Sequence, residues 1–92
     1  MKTVAMKQFG VVLSGREFGK NAARTILEHE PPITLDFTGV VSVGSSFGDE
    51  VLSAVAAKQN KKIAILGASS MVRRSLEQSA MDHGVQAEFA AG

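Results

Sequence analysis

Lys62-Ile63-Ala64-Ile65-Leu66-Gly67 is the stretch whose reading decides the fold. Its apolar run is unbroken until the glycine. A strand with one face in water alternates apolar and polar side chains, whereas a buried parallel strand reads as a continuous apolar run. Downstream, a helix opens at Ser69 or Ser70 and carries Val72, Leu76, Ala80 and His83 on one face. Gly84 followed by Val85 supplies a glycine stop for it, and the alternation of Val85, Ala87 and Phe89 adds an edge strand. Upstream, a helix opens at Ser45 or Ser46 with Phe47, Val51, Ala54 and Val55 on one face. Ser46 and Asp49 stand at N-cap and third-position spacing. Lys58, Lys61 and Lys62 fall near the end of that helix, where cations suit its dipole.

Ahead of that helix, Ile33-Thr34-Leu35-Asp36-Phe37 is a β-prone run between prolines and Thr38-Gly39, and Val40, Val41 and Val43 extend the apolar region to Gly44. At the start of the chain, Val4 and Met6, then Val11, Val12 and Leu13, are β-prone, with Gly10 between them as a turn signal. This predicts a hairpin or a bent pair of short strands. Ser14-Gly15-Arg16-Glu17 predicts a capping box, Ser14 and Glu17 each accepting the other's backbone amide. The helix it opens carries Phe18, Ala22, Ile26 and His29 on one face and ends at Pro31-Pro32. Gly19 inside it either admits another backbone closely or is simply tolerated. Strands alternating with helices of roughly 10–15 residues argue for an α/β sheet joined by right-handed crossovers. The expected core is Phe18, Ile26, Leu35, Phe37, Val51, Val55, Ile63, Ile65, Val72 and Leu76.

Composition narrows the function classes. With 92 residues the chain is expected to be one domain over 1–92. Hydrophobic residues at 45% and charged residues at 21% describe an ordinary globular chain. The sequence has no cysteine, which excludes disulfides, thiolate metal sites and cysteine nucleophiles. A net charge of +1 exerts no global pull toward nucleic acid or anionic membrane. No apolar run approaches the ~20 residues of a membrane span, and Lys7 and Gln8 interrupt any signal-peptide core. A cytoplasmic location is the expectation.

Residues that could carry chemistry are few. His29 and His83 are isolated at predicted helix ends, without a second ligand at metal-binding spacing, and read as helix-end residues. Asp36, Asp49 and Glu50 are the carboxylates near strand-to-helix turns, but the sequence sets no nucleophile or metal beside them. Gly39-Val40-Val41-Ser42-Val43-Gly44-Ser45-Ser46 has the outline of a phosphate loop but lacks the lysine after the second glycine. The expectation is therefore no enzyme, no cofactor and no metal.

Two runs carry a family resemblance: Ile33-Thr34-Leu35-Asp36-Phe37-Thr38-Gly39-Val40, then Val43-Gly44-Ser45-Ser46-Phe47-Gly48-Asp49-Glu50. Together with Gly15-Arg16 at an earlier helix start, they resemble the signature of the STAS-like domain family of unknown function, over about residues 10–85. The broader relatives are the STAS domains of anti-sigma factor antagonists and sulfate transporters. There a Leu-Asp-Leu strand precedes an Asp-Ser-Ser/Thr-Gly-Leu turn whose serine a partner kinase phosphorylates. Ser45 and Ser46 fall on that serine pair, while Gly44 stands in place of the aspartate and Phe47-Gly48 in place of Gly-Leu. The resemblance implies an α/β, STAS-like small mixed sheet with about three helices packed mainly on one face. It implies a non-enzymatic regulatory module that binds a protein partner through the loop and helix at Ser45–Val55, with Ser45, Ser46, Phe47, Asp49 and Glu50 at the contact. By analogy the partner is a histidine-kinase-like ATPase or an anti-sigma factor, and Ser45 and Ser46 are the candidate phosphorylation sites. The second reading is a small-ligand or nucleotide/anion sensor using the same helix N-terminus. An enzyme built on Asp36 or Asp49 ranks third.

Overall fold

The computed structural model describes residues 1–91. In chain order it runs β1 (Lys2–Ala5), a 3-10 turn (Met6–Phe9), β2 (Val12–Leu13), α1 (Arg16–Ile26), β3 (Ile33–Asp36), β4 (Ser42–Val43), α2 (Ser45–Ala56), β5 (Lys62–Leu66), α3 (Ser70–Asp82) and β6 (Gln86–Ala90). β1, β3, β5 and β6 form one sheet in that order, and β2 and β4 form a second, two-stranded one. Each pairing in both sheets is parallel.

Parallel neighbours need a crossover between them. Here the sheet order never reverses, and right-handed crossovers stepping always in one direction put their helices on one face. α2 packs between α1 and α3 in that layer. The strands record the asymmetry: Ile33, Leu35, Ile63 and Ile65 are buried against the helices, while Thr34, Asp36, Ala64 and Leu66 on the other face are half-buried. The expected α/β architecture, with about three helices mainly on one face, is what forms.

Of the expected core, nine members are buried, and Phe18 is partly buried against the cluster. Met6, Leu13, Phe47 and Leu52 join them with no more than 0% exposure. The N-terminal hairpin does not form. Both short strands exist, but β1 pairs with β3 and β2 with β4. The 3-10 turn buries Met6 instead of leading back along β1.

Several helix ends differ from expectation. α1 starts after Gly15, which has φ 98° and no side chain to cap with, so the Ser14–Glu17 capping box is not made. α1 also stops at Ile26, well before the prolines. Glu28 and His29 continue it with bonds to Thr25 and Ile26, the tightened last turn that helices use at their ends. His29 therefore lies beyond the helix and is exposed. α3 behaves as expected: Ser69 Oγ accepts from Val72 N at 3.2 Å. Its other end closes on Gly84 at φ 64°, with Val85 N donating to Ala80 O and Gly84 N to Met81 O, the paired bonds of a glycine C-terminal motif.

Gln59 ties the strand starts together. Its side chain accepts from Ile33 N and donates to Ile33 O and Lys62 O, satisfying backbone groups at the N-terminal ends of β3 and β5.

Candidate functional site

The Ser45-Ser46 turn sits where β4 hands over to α2. Gly44 is the N-cap residue, with φ −77° and ψ 154°, and no side chain caps the helix. The spacing of Ser46 and Asp49 thus does not become a capping pair, because the helix begins two residues earlier than that pair requires. The first intrahelical bond runs from Gly48 N to Gly44 O at 3.0 Å. The amides of Ser45, Ser46 and Phe47 precede it and are the free donors of a helix N-terminus.

Gly44 has a packing reason. Its own amide donates to Leu13 O at 2.7 Å, and a Cβ built on it would stand 3.0 Å from Ser14 Cβ. The Ser14-Gly15 turn lies directly against the start of α2, and a larger residue at position 44 would push the two apart. The aspartate of the broader STAS turn would meet that crowding here.

The five residues expected at a partner contact separate on the structure. Ser45 is exposed and Ser46 half-buried. Phe47 is fully buried at 0%, with its ring edge-on to Phe18 at 5.2 Å between centroids. It is a core residue, and its place in the expected contact is withdrawn. Asp49 and Glu50 are partly shielded, each facing a side chain from a neighbouring helix: His83 Nε2 lies 3.4 Å from Asp49 Oδ1, and Arg16 Nη1 lies 2.5 Å from Glu50 Oε2. Along α2 only Ser45 is exposed, and the run to Val55 is otherwise buried or half-buried. The reason is positional. The middle helix of a one-sided layer has neighbours on both flanks and the sheet beneath, so most of its length is shielded.

What the sequence reading missed lies beside Ser45. Val11, Val12 and Val41 are 43%, 58% and 61% exposed. They sit on two paired backbone segments: Val41 N and Ser42 N both donate to Val11 O, and Val12 is in register with Ser42. Their β-branched side chains suit a strand, which is how they read in the sequence. Val12 faces water on the open side of the two-stranded sheet, opposite the covered Leu13, while Val11 and Val41 are exposed just ahead of the two strands.

The remaining chemistry-bearing residues do not converge. Asp36 Oδ1 accepts from Thr38 Oγ1 at 2.7 Å and Thr38 N at 2.9 Å. The Thr38 hydroxyl, and then its amide, hold the Asp36 carboxyl below the ordinary carboxylate value. This is a closed Asx turn at the end of β3. His83 ends α3 and meets Asp49 alone. Among the described residues no group of three or more His, Cys, Asp or Glu side chains gathers as a metal site requires. No helix of the described chain is long and apolar enough to cross a membrane.

The family described as a STAS-like domain of unknown function matches this chain over residues 14–73. That span runs from the turn before α1 to the first turn of α3. The chain belongs to this family of STAS-like domains. No curated protein and no solved structure matches it. The matched span contains α1, the Ser45-Ser46 turn, α2 and β5, and stops within α3, before β6.

Proposed function

We propose that this STAS-like domain is a non-enzymatic regulatory module that binds a protein partner at the end of the molecule where β2, β4 and the first turn of α2 meet. The observation that carries the reading is the exposure of Val11, Val12 and Val41 on paired segments beside the exposed Ser45. Clustered exposed aliphatic side chains rimmed by polar residues mark interaction surfaces. The contact is Ser45 and Ser46 with the three valines, and Asp49 and Glu50 contribute charge at its margin. A histidine-kinase-like ATPase or an anti-sigma factor is the partner that the family relationship suggests.

Phosphate on Ser45 would lie at free helix amides and the positive end of the dipole, close to the carboxylates of Asp49 and Glu50. Such a group changes the surface from neutral to anionic without disturbing a buried contact, because Ser45 is exposed. Docking through the valines is the primary proposal, and regulation by phosphate is secondary.

The test measures binding of a histidine-kinase-like ATPase and an anti-sigma factor from the native host by isothermal calorimetry. Val12→Lys, Val41→Lys and Ser45→Asp are expected to weaken or abolish it, while Met71→Lys, an exposed change on α3, leaves it unchanged. Equal binding by all four variants would overturn the docking surface. Intact mass of the protein from its host tests the phosphate separately. Titration with nucleotides and inorganic phosphate tests the sensor reading, which predicts saturable shifts of the Ser45 and Ser46 amides.

A further inference from the structure

The sheet ends at β6 with its outer edge open. In this parallel ladder Gln86 N donates to Lys61 O and Ala90 O accepts from Gly67 N. Gln86, Glu88 and Ala90 therefore direct their backbone groups toward β5, and those of Ala87 and Phe89 point outward. Among the described residues no strand pairs with that side.

The two faces beside this edge differ in chemistry. Ala87 and Phe89 are in register with the buried Ile63 and Ile65, so their side chains stand on the helix side. There, between α3 and β6, lies an open groove of about 410 Å³. Its walls include Ala80, Val85, Phe89 and Met81, the last 77% exposed. The charges on its rim are internally matched: Arg73 lies 4.7 Å over the Phe89 ring and 3.1 Å from Glu77. On the opposite face Glu88 occupies the middle of the strand, opposite Ala64, with no ion-pair partner among the described residues.

We propose that β6 is a strand-addition site for an extended segment of a partner protein, one that seats an apolar side chain in the α3–β6 groove and a Lys or Arg, at the adjacent position, beside Glu88. Strand addition draws affinity from main-chain bonds and specificity from alternate side chains. The free groups of Ala87 and Phe89 supply the first, and the groove and Glu88 supply the second. The same carboxylate disfavours a second copy of this chain as occupant. Antiparallel pairing of β6 with itself about its centre sets Glu88 directly across from Glu88, a like-charge pair that weakens a sheet. This edge is separate from the Ser45 end and does not rest on that reading.

The experiment titrates the full ¹⁵N-labelled chain with a capped Val-Lys-Val-Lys-Val peptide and with its Val-Glu-Val-Glu-Val counterpart. The lysine peptide should shift the Ala87 and Phe89 amides and slow their hydrogen exchange, leaving Ser45 unmoved. It should bind about five-fold more tightly than the glutamate peptide, as expected for opposite against like cross-strand charge. Glu88→Lys should reverse that preference, and Met81→Glu, at an exposed position, should weaken both peptides. Absence of shifts at Ala87 and Phe89, an unchanged preference in Glu88→Lys, or self-association through β6 would each overturn the proposal.

Discussion

Replacing Gly19 by alanine should destabilise the domain even though the helix that carries it gains. Gly19 lies inside α1, and glycine there costs roughly 0.5–1 kcal/mol relative to alanine through backbone entropy. In isolation α1 would therefore be stabilised by that amount. A Cβ at position 19, however, would stand 3.0 Å from Phe47 Cα, Phe47 O and Glu50 Cβ. Two of those atoms are α2 backbone, which cannot swing away as a side chain tip can. Since comfortable carbon contacts begin near 3.5 Å, α1 and α2 would have to part by roughly half an ångström. The Phe18–Phe47 edge contact spans the same seam and would loosen with it. Overpacking of this kind costs about 1–3 kcal/mol. Set against the propensity gain, the expected net loss runs from zero to about 2.5 kcal/mol and centres near about 1 kcal/mol, which lowers Tm by several degrees in a domain of this size. The protein has no Trp or Tyr, so urea unfolding should be followed by far-ultraviolet circular dichroism. A variant more stable than the parent by the full propensity gain of about 0.5–1 kcal/mol would refute the close approach and leave Gly19 as a tolerated residue.

The orphaned hydroxyl of Ser79, 1% exposed and without a partner among the described residues, predicts that Ser79→Ala is neutral or stabilising by up to about 1 kcal/mol. Gly48→Ala, whose Cβ would meet Ser79 Oγ at 2.9 Å, should cost less in the Ser79→Ala background than alone, as a double-mutant cycle would measure. The caps are distinguishable: Ser69→Ala should cost about 1 kcal/mol, while Ser14→Ala, which removes no cap, should change stability by less than about 0.5 kcal/mol in the same denaturation assay. Thr38→Val should cost about 1 kcal/mol at pH 7. Because Thr38 lowers the folded-state pKa of Asp36, that contribution is fully present above the unfolded carboxylate value near pH 4 and fades as pH falls through the folded one. The difference between parent and variant seen at pH 7 should therefore shrink as pH falls below the unfolded carboxylate value and through the lowered folded one. An undiminished difference in acid would assign the loss to packing.

Local pattern alone determined the α/β class, β3 and β5, and the faces of the three helices. The physical reason is that burial on a helix or strand repeats with the geometry of the element itself, so Leu35, Ile65, Val51 and Leu76 are legible one segment at a time. The Ser69 cap and the Gly84 stop were legible for the same reason, since each is completed within a few residues of its own helix end. Tertiary structure decided whatever depends on a second segment. Val4 and Val12 are β-prone in either arrangement, and only the arrival of β3 and β4 settled that they pair apart rather than together. Ser14 and Ser46 carry capping chemistry, but the contact of the Ser14-Gly15 turn with Gly44 set the helix starts elsewhere. Phe47 and Val41 are both apolar, yet one is sealed under Phe18 and the other faces water. That difference comes from α2 lying between two helices while Val41 stands just ahead of β4, on backbone paired to Val11, and no spacing along the chain contains it.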